Sequence, residues 1–416
     1  MRRVFLLSWC NNLTLTPSPH GEGCSEPFST WRRAGLRLAF RFLHHAIFFI
    51  LLLIPYPSFA QDIPRCTQRP DFVVIPRTRL GFCIELIYQE ANSNLPFTGL
   101  ASADDGTLYL AKPLTGEVIA MRDTDEDDVP DTPEVIATNL DTPHALTFYK
   151  NALYIAGGKA IYRWQENKLT TLVDNLPAGT GLWNGGLVVY ENRLVVGIGA
   201  DCSYCISEIG TRGLLTSFAL DGSDPQVLTT GLRQPTAIGV VNGNLYVGDT
   251  QTSNAKDVPN DEINEVVTGG YYGEGECADN CEEQVPLYKL PATAAPMGLV
   301  AYKGNAFPDL ADHVILLLGG ALSATNPVGY QLLAIEHFGE SNAVFKVIIP
   351  GDERTLLAVG DPIYEATNGY RNLRADTFNW NGEGFYPQRP VGLAVNAQGW
   401  IYVSVSGGYL YLIRPS

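Results

Sequence analysis

One phrase recurs along this chain: a polar turn, then a short run of alternating apolar and aromatic residues. It reads GTLYLA from Gly106, NALYIA from Asn151, NRLVVG from Asn192, NGNLYVG from Asn242, DHVILLL from Asp312 and GWIYVS from Gly399. Its central apolar residues are Leu108, Leu153, Leu194, Leu245, Val314 and Ile401, spaced 45, 41, 51, 69 and 87 residues apart. The first three spacings match the roughly 40–50 residues of a four-stranded propeller blade, and the last two require insertions. An apolar strand precedes each phrase, as in His144–Phe148 and Met297–Ala301, and a third often follows, as in Ala160–Trp164. One such meander cannot bury both faces, whereas six copies around an axis bury one another. The expected fold is therefore all-β: a six-bladed β-propeller of four-stranded antiparallel meanders. The competing β-sandwich does not account for the repeat. The segment Leu80–Tyr88, ahead of the first copy, is expected to close the ring beside Tyr409–Ile413.

Residues 1–60 lie outside this pattern. Arg32, Arg33, Arg37 and Arg41 precede the apolar run Ala46–Ile54, and Pro55–Ala60 follows with a small residue at its end. A basic region, a short apolar region and a small-residue cleavage point describe a secretory signal cut after Ala60. Residues 1–30 read as an upstream extension. The chain thus divides into a leader, 1–60, and one propeller domain, 61–416, with no membrane span once the leader is removed, and its expected location is secreted, periplasmic or on the cell-envelope exterior. A retained anchor is the competing reading, but a run of nine apolar residues is short for a span. Net charge is −16, and the leader holds six of the arginines. Such an acidic domain argues against nucleic acid as a partner.

Outside the leader, six cysteines fall in three close pairs, Cys66/Cys83, Cys202/Cys205 and Cys277/Cys281. In an oxidising compartment these read as three local disulfides. Cys202 and Cys205 form a CxxC, also found in redox and zinc sites, but no second CxxC or nearby His completes a metal site.

In a propeller, the residues leading into each innermost strand approach the central channel. Here they are Leu95-Pro96, Thr142-Pro143-His144, Leu182-Trp183-Asn184, Arg233-Gln234-Pro235, Ala295-Pro296 and Arg389-Pro390. Three carry chemically capable side chains. His144 is the acid–base candidate, since imidazole exchanges protons near neutral pH; the alternative is a structural histidine. Arg233 and Arg389 suit a carboxylate or phosphate, or else salt bridges within the fold. A separate acidic loop places Asp123, Asp125, Asp127 and Glu134 at positions 1, 3, 5 and 12 of a calcium loop. Position 6 is Asp128 rather than Gly and no flanking helices are evident, so the loop is a candidate surface calcium site rather than an EF-hand, with a solvated acidic turn as the plain alternative.

The run from Gly231 to Gly273 orders GLRQP, a strand, a polar loop, DEIN and GGYYG. With Thr142-Pro143-His144, the Cys202–Cys205 loop, Ala295–Leu299 and Gln388–Gly392, it resembles the soluble quinoprotein glucose/sorbosone dehydrogenase family over most of the chain after the leader. That resemblance implies pyrroloquinoline quinone (PQQ) and calcium as cofactors, a sugar substrate and a separate electron acceptor of unknown identity. It implies His144 as base on the substrate hydroxyl during hydride transfer to the quinone. It also implies Arg233 against the quinone oxygens, Gln234 and Arg389 as further cofactor contacts, and calcium on backbone oxygens of Asp249, Thr250 and Gln251. Gln234 stands where the family has Asn, and Gly319–Asn326 where it has a HGSWNR-like run. Two other readings share the scaffold: a binding propeller that has lost the cofactor, and a calcium-dependent lactonase-like hydrolase using Asn184 and Asp249.

Overall fold

The computed structural model of the chain describes residues 78–79, 81–92, 97–179, 181–201, 211–251, 259–273, 282–320, 328–350, 355–357, 385 and 388–416. The leader, Cys66, Cys202, Cys205, Cys277 and Cys281 lie outside them. Cys83 is buried and in a disulfide.

The polar turns of the repeat are tight hairpins. Lys150-Asn151, Glu191-Asn192 and Asn242-Gly243 all have φ between 46° and 85°. Two-residue hairpin loops need φ > 0 at both positions to match strand twist, and Asn and Gly reach it at least cost. Each turn joins an innermost strand to its neighbour: Pro143–Tyr149 to Ala152–Gly157, Gly185–Tyr190 to Arg193–Ile198, and Pro235–Val241 to Asn244–Asp249. The alternation of the sequence places residues such as Leu153, Leu194 and Leu245 between blades, where they are 3% exposed or less.

Six sheets result, as the repeat predicts. The first, second, fourth and sixth blades have four strands each. The third gains a fifth strand, Gly270–Tyr271, which runs parallel to Gln226–Thr230. The fifth blade gains Thr355–Leu357 beside Val344–Ile349. The two long spacings of the repeat thus hold insertions, one of which pads the edge of the preceding blade. The ring closes between the ends of the chain: Phe82–Gln89 pairs antiparallel with Tyr409–Pro415, from Phe82 opposite Pro415 to Gln89 opposite Tyr409. Among the described residues the only helix is a single 3-10 turn, Pro308–Leu310, and none is long and apolar enough to cross a membrane. Hydrophobic clusters fill the spaces between neighbouring blades.

The innermost strands pack side by side around the axis. Five of them slip register near their start, between Pro143/Ala145, Gly185/Leu187, Pro235/Ala237, Pro296/Gly298 and Pro390/Gly392. A bulge leaves one residue unpaired and re-aims its side chain. The skipped residues are His144, Gly186, Thr236, Met297 and Val391, and all five line an axial cavity of 540 Å³. The packing is close enough that a Cβ on Gly392 would strike the Thr98 carbonyl of the first blade.

Candidate active site

The bulge explains why His144 matters and its neighbours in the sequence do not. Of the five bulge residues it alone is titratable. Its ring meets the Trp183 indole edge-on, with centroids 4.3 Å apart at 64°. Its Nδ1 is buried with no hydrogen-bond partner among the described residues. Burial lowers its pKa from 6.5 to about 4, against a weaker upward pull from Asp141. The imidazole is therefore neutral at physiological pH and able to accept a proton.

The sequence places Trp183 in a strand lead-in but gives it no role, because an aromatic residue among so many reads as core. It lies ahead of the third blade's innermost strand and lines the cavity beside His144. It also packs on the cluster between the fifth and sixth blades, so it reaches across the axis. Its backbone is clamped. Arg212 is buried and donates to the carbonyls of Leu182 and Gly199, and the Leu182 N–H bonds the Ala200 carbonyl at 2.8 Å. At Gly199 a Cβ would sit 2.7 Å from the carbonyl oxygens of both Leu182 and Trp183, a separation only glycine permits. Asn184, next in sequence, donates through Nδ2 to the carbonyls of Gly158 and Pro177, 2.8 Å each, which ties this segment to the second blade.

The two arginines do not line the described cavity, as their positions in the sequence had led one to expect. Arg233 is buried and Arg389 half-buried, and Arg389 reaches the wall at Met297. Arg233 sits three residues before its strand's bulge, the place Trp183 holds in the third blade. Its Nη1 donates to the carbonyl oxygens of Thr250 at 2.7 Å and Gln251 at 3.1 Å, while its Nε has no partner among the described residues. Arg389 donates from its backbone to Ser406 Oγ at 2.7 Å, and its Nη2 lies 3.9 Å from Met297 Sδ, a cavity-lining atom. Its Nε is likewise unpartnered, and burial lowers its pKa. Among the described residues it forms no ion pair.

Two buried carboxyl groups frame Arg233. Asp249 accepts N–H bonds from Arg233 at 2.9 Å, Gln234 at 2.6 Å and the Gln251 side chain at 3.0 Å. Asp261 accepts from Gln251 at 2.8 Å and from Ala295, ahead of the fifth blade, at 2.6 Å. Burial pushes Asp249 up to about 8 and Asp261 to about 7, with the N–H donors pulling the other way. Glu262, beside them, is raised to about 7 by burial. The carboxylate of Asp249 thus shapes the turn through Gln234, whose own side chain is half-exposed. The backbone oxygens of Thr250 and Gln251, candidates for a calcium ion in the sequence, both accept from one guanidinium nitrogen, Arg233 Nη1.

The acidic loop of the first blade differs from its expected arrangement. Asp123 spends its carboxylate on the backbone N–H groups of Glu126, Asp127 and Asp128. Asp127 caps Val129 at 2.9 Å. The carboxylates that gather are those of Asp123, Asp125 and Asp131, so Asp131 takes the place foreseen for Asp127. Glu134 is drawn to Arg122 at 2.5 Å.

No family model matches the chain. An uncharacterized protein of Borreliella burgdorferi is 23% identical over 295 residues, covering 62% of this chain and 75% of that protein. Among solved structures, a carbohydrate-active enzyme of family AA12 from Trichoderma reesei superposes with a TM-score of 0.60 at 14% identity, covering 82% of this chain and 98% of that one. The holo PQQ domain of pyranose dehydrogenase from Coprinopsis cinerea gives 0.58 at 15% identity, over 84% of this chain and 98% of that one. The PQQ-bound aldose sugar dehydrogenase of Streptomyces coelicolor gives 0.51 at 14% identity, over 82% of this chain and 100% of that one. The fold of this chain is that of soluble PQQ-dependent sugar dehydrogenases.

Proposed function

We propose that the protein is a quinone-dependent oxidoreductase that oxidises a sugar hydroxyl, acting outside the cytoplasm and passing electrons to a separate acceptor. The observation that carries this is His144: a neutral, buried imidazole, placed by a bulge on the wall of the axial cavity with its Nδ1 unpartnered. The residues present fit a polyanionic quinone. Arg389 is a half-buried cation that forms no ion pair among the described residues, and a charge drawn out of water and left unpaired is costly. A carboxylate of PQQ supplies the missing partner, and Arg233 offers its free Nε to the same group. When bound, the quinone supplies the two-electron acceptor.

The chain's own side chains do the rest. His144 takes the proton of the substrate hydroxyl, and the low-dielectric wall keeps it neutral until it does so. Arg233 holds positive charge near the site, where it steadies negative charge that develops during oxidation. Gln234 and Asp249 set the backbone that carries Arg233. Calcium fits only by exchange: at the Thr250 and Gln251 oxygens it would replace the Arg233 Nη1 rather than sit beside it. No step is assigned to it.

Titrating the purified domain with PQQ, with and without calcium, and then following dye reduction with a panel of aldoses tests this reading. Saturable cofactor binding with sugar-dependent turnover is the expected result. Absence of PQQ binding would remove the dehydrogenase reading and leave a ligand-binding propeller.

A further inference from the structure

Trp183 has no part in the chemistry described so far, yet it is a large aromatic side chain of the cavity wall in direct ring contact with the base. Three observations bear on its role. It is half-exposed and lines the cavity. Its ring meets His144 at 4.3 Å, so whatever rests on the indole lies within reach of the imidazole. Its backbone is fixed on both sides, by Arg212 at Leu182 and by the Asn184 bonds to the second blade, a degree of restraint that a passive filler of the cavity does not need. A half-exposed aromatic face on a fixed backbone beside a proton acceptor is the arrangement that orients a substrate having one apolar face and several hydroxyls.

We propose that Trp183 is the platform on which the sugar ring lies, and that it makes the site selective for cyclic sugars, whose axial C–H groups present a flat apolar face, over linear polyols, which present none. The proposal rests on the oxidoreductase reading for its substrate class. Arg212 is then a positioning residue, acting through the Leu182 carbonyl.

The test uses Trp183→Leu and Trp183→Phe in the full domain, with wild-type thermal melting required of each variant. An aromatic contact contributes about 0.5–1.5 kcal/mol beyond area burial, so the Leu variant should raise KM for pyranoses by roughly two- to twelvefold. kcat should change little, KM for linear polyols should hold, and Phe should fall between. An equal rise for pyranoses and linear polyols overturns the proposal, as does weaker PQQ binding with an unchanged sugar KM, which would make the indole a cofactor platform. A second readout does not depend on turnover: saturation-transfer NMR of a pyranose on the cofactor-free protein. Ring C–H signals present with the wild type and lost with Trp183→Leu support the platform even if no dehydrogenase activity is found. Equal signals from both proteins refute it whatever the activity shows.

Discussion

His144 makes a quantitative prediction that needs no cofactor. Its pKa falls from 6.5 in a solvated chain to about 4 in the fold, because burial disfavours the imidazolium. Between those values the unfolded chain binds a proton that the folded chain does not, so folding stability rises with pH across the window and falls as pH drops through it. A pKa difference of this size corresponds to about 3 kcal/mol. That cost is absent at pH 7.5 and nearly complete at pH 4. Asp249, Asp261 and Glu262 titrate in the opposite sense. Their folded pKa values are raised from the ordinary 3.8 and 4.5 to about 7 or 8, so they stabilise fully only below those ordinary values and lose that contribution steadily as pH climbs to 7 or 8. The raw pH profile mixes both trends, and the difference between wild type and His144→Asn removes the carboxyl contributions. Urea unfolding at pH steps from 4 to 8 should show wild type losing about 3 kcal/mol more than the variant toward acid. Asp141, the one charged group acting on His144, should be checked with Asp141→Asn, which should lower the His144 pKa slightly further. A flat difference curve, with no loss setting in below pH 6.5, would show that the imidazole is solvated, and its part as a desolvated base would go with it. In turnover the same residue should give a rate that is level from pH 5 to 8 and declines only near pH 4.

Three further outcomes follow from the buried groups. Asp261→Ala strands the N–H groups of Gln251 and Ala295, at about 1–3 kcal/mol each, and should lower the midpoint of thermal unfolding while Asp261→Asn lowers it less; equal melting of both variants and wild type would mean water replaces the carboxyl. Arg389→Met removes a half-buried charge that forms no ion pair among the described residues, so the cofactor-free protein should melt no lower than wild type, whereas PQQ affinity by fluorescence titration should drop by about tenfold or more, given roughly 1.5–3 kcal/mol for a charged hydrogen bond; a destabilised variant with unchanged affinity would assign Arg389 to the scaffold. Millimolar calcium should shift the melting of the cofactor-free protein by no more than ~1 °C, because Arg233 already holds the Thr250 and Gln251 carbonyls; a clear upward shift would show that the ion displaces it.

The propeller was legible because its information is repeated. Leu108, Leu153 and Leu194 recur at blade spacing with a turn residue before each, and the Phe82–Gln89 closure follows from a strand left over at one end of the chain. The added strands Gly270–Tyr271 and Thr355–Leu357 were not legible: they are two and three residues long, too short for any periodicity to declare. The site was legible only as an address. His144 and Trp183 stand where strand lead-ins approach the axis, but the bulge that aims His144 inward is a register slip, and a register slip leaves no mark in residue type. The exchange of Asp131 for Asp127 has a similar origin. Spacing counted from Asp123 assumed an extended calcium loop, whereas Glu126 and Asp128 take φ of 64° and 66° and fold the turn back on Asp123.

Arg233 shows how far one position can be read. A guanidinium at that place satisfies two demands at once: it offers cationic charge to a ligand, and it gathers the Thr250 and Gln251 carbonyls that would otherwise need a cation of another kind. Asp249 supports both, since it fixes the Arg233 and Gln234 backbone while lying within electrostatic reach of the same guanidinium. Cofactor arrival therefore competes with a bond already made. An anion that draws the Arg233 side chain toward the cavity must break the bonds to the two carbonyls, leaving them for water or for a divalent ion. Cofactor and cation binding at this loop are consequently linked with positive sign, each favouring the other by freeing or filling the same oxygens. Arg389, with no internal acceptor to give up among the described residues, carries no such linkage, and the two arginines should separate on that basis: calcium should strengthen PQQ binding in the Arg389→Met variant, and should do nothing once Arg233 is replaced by Met.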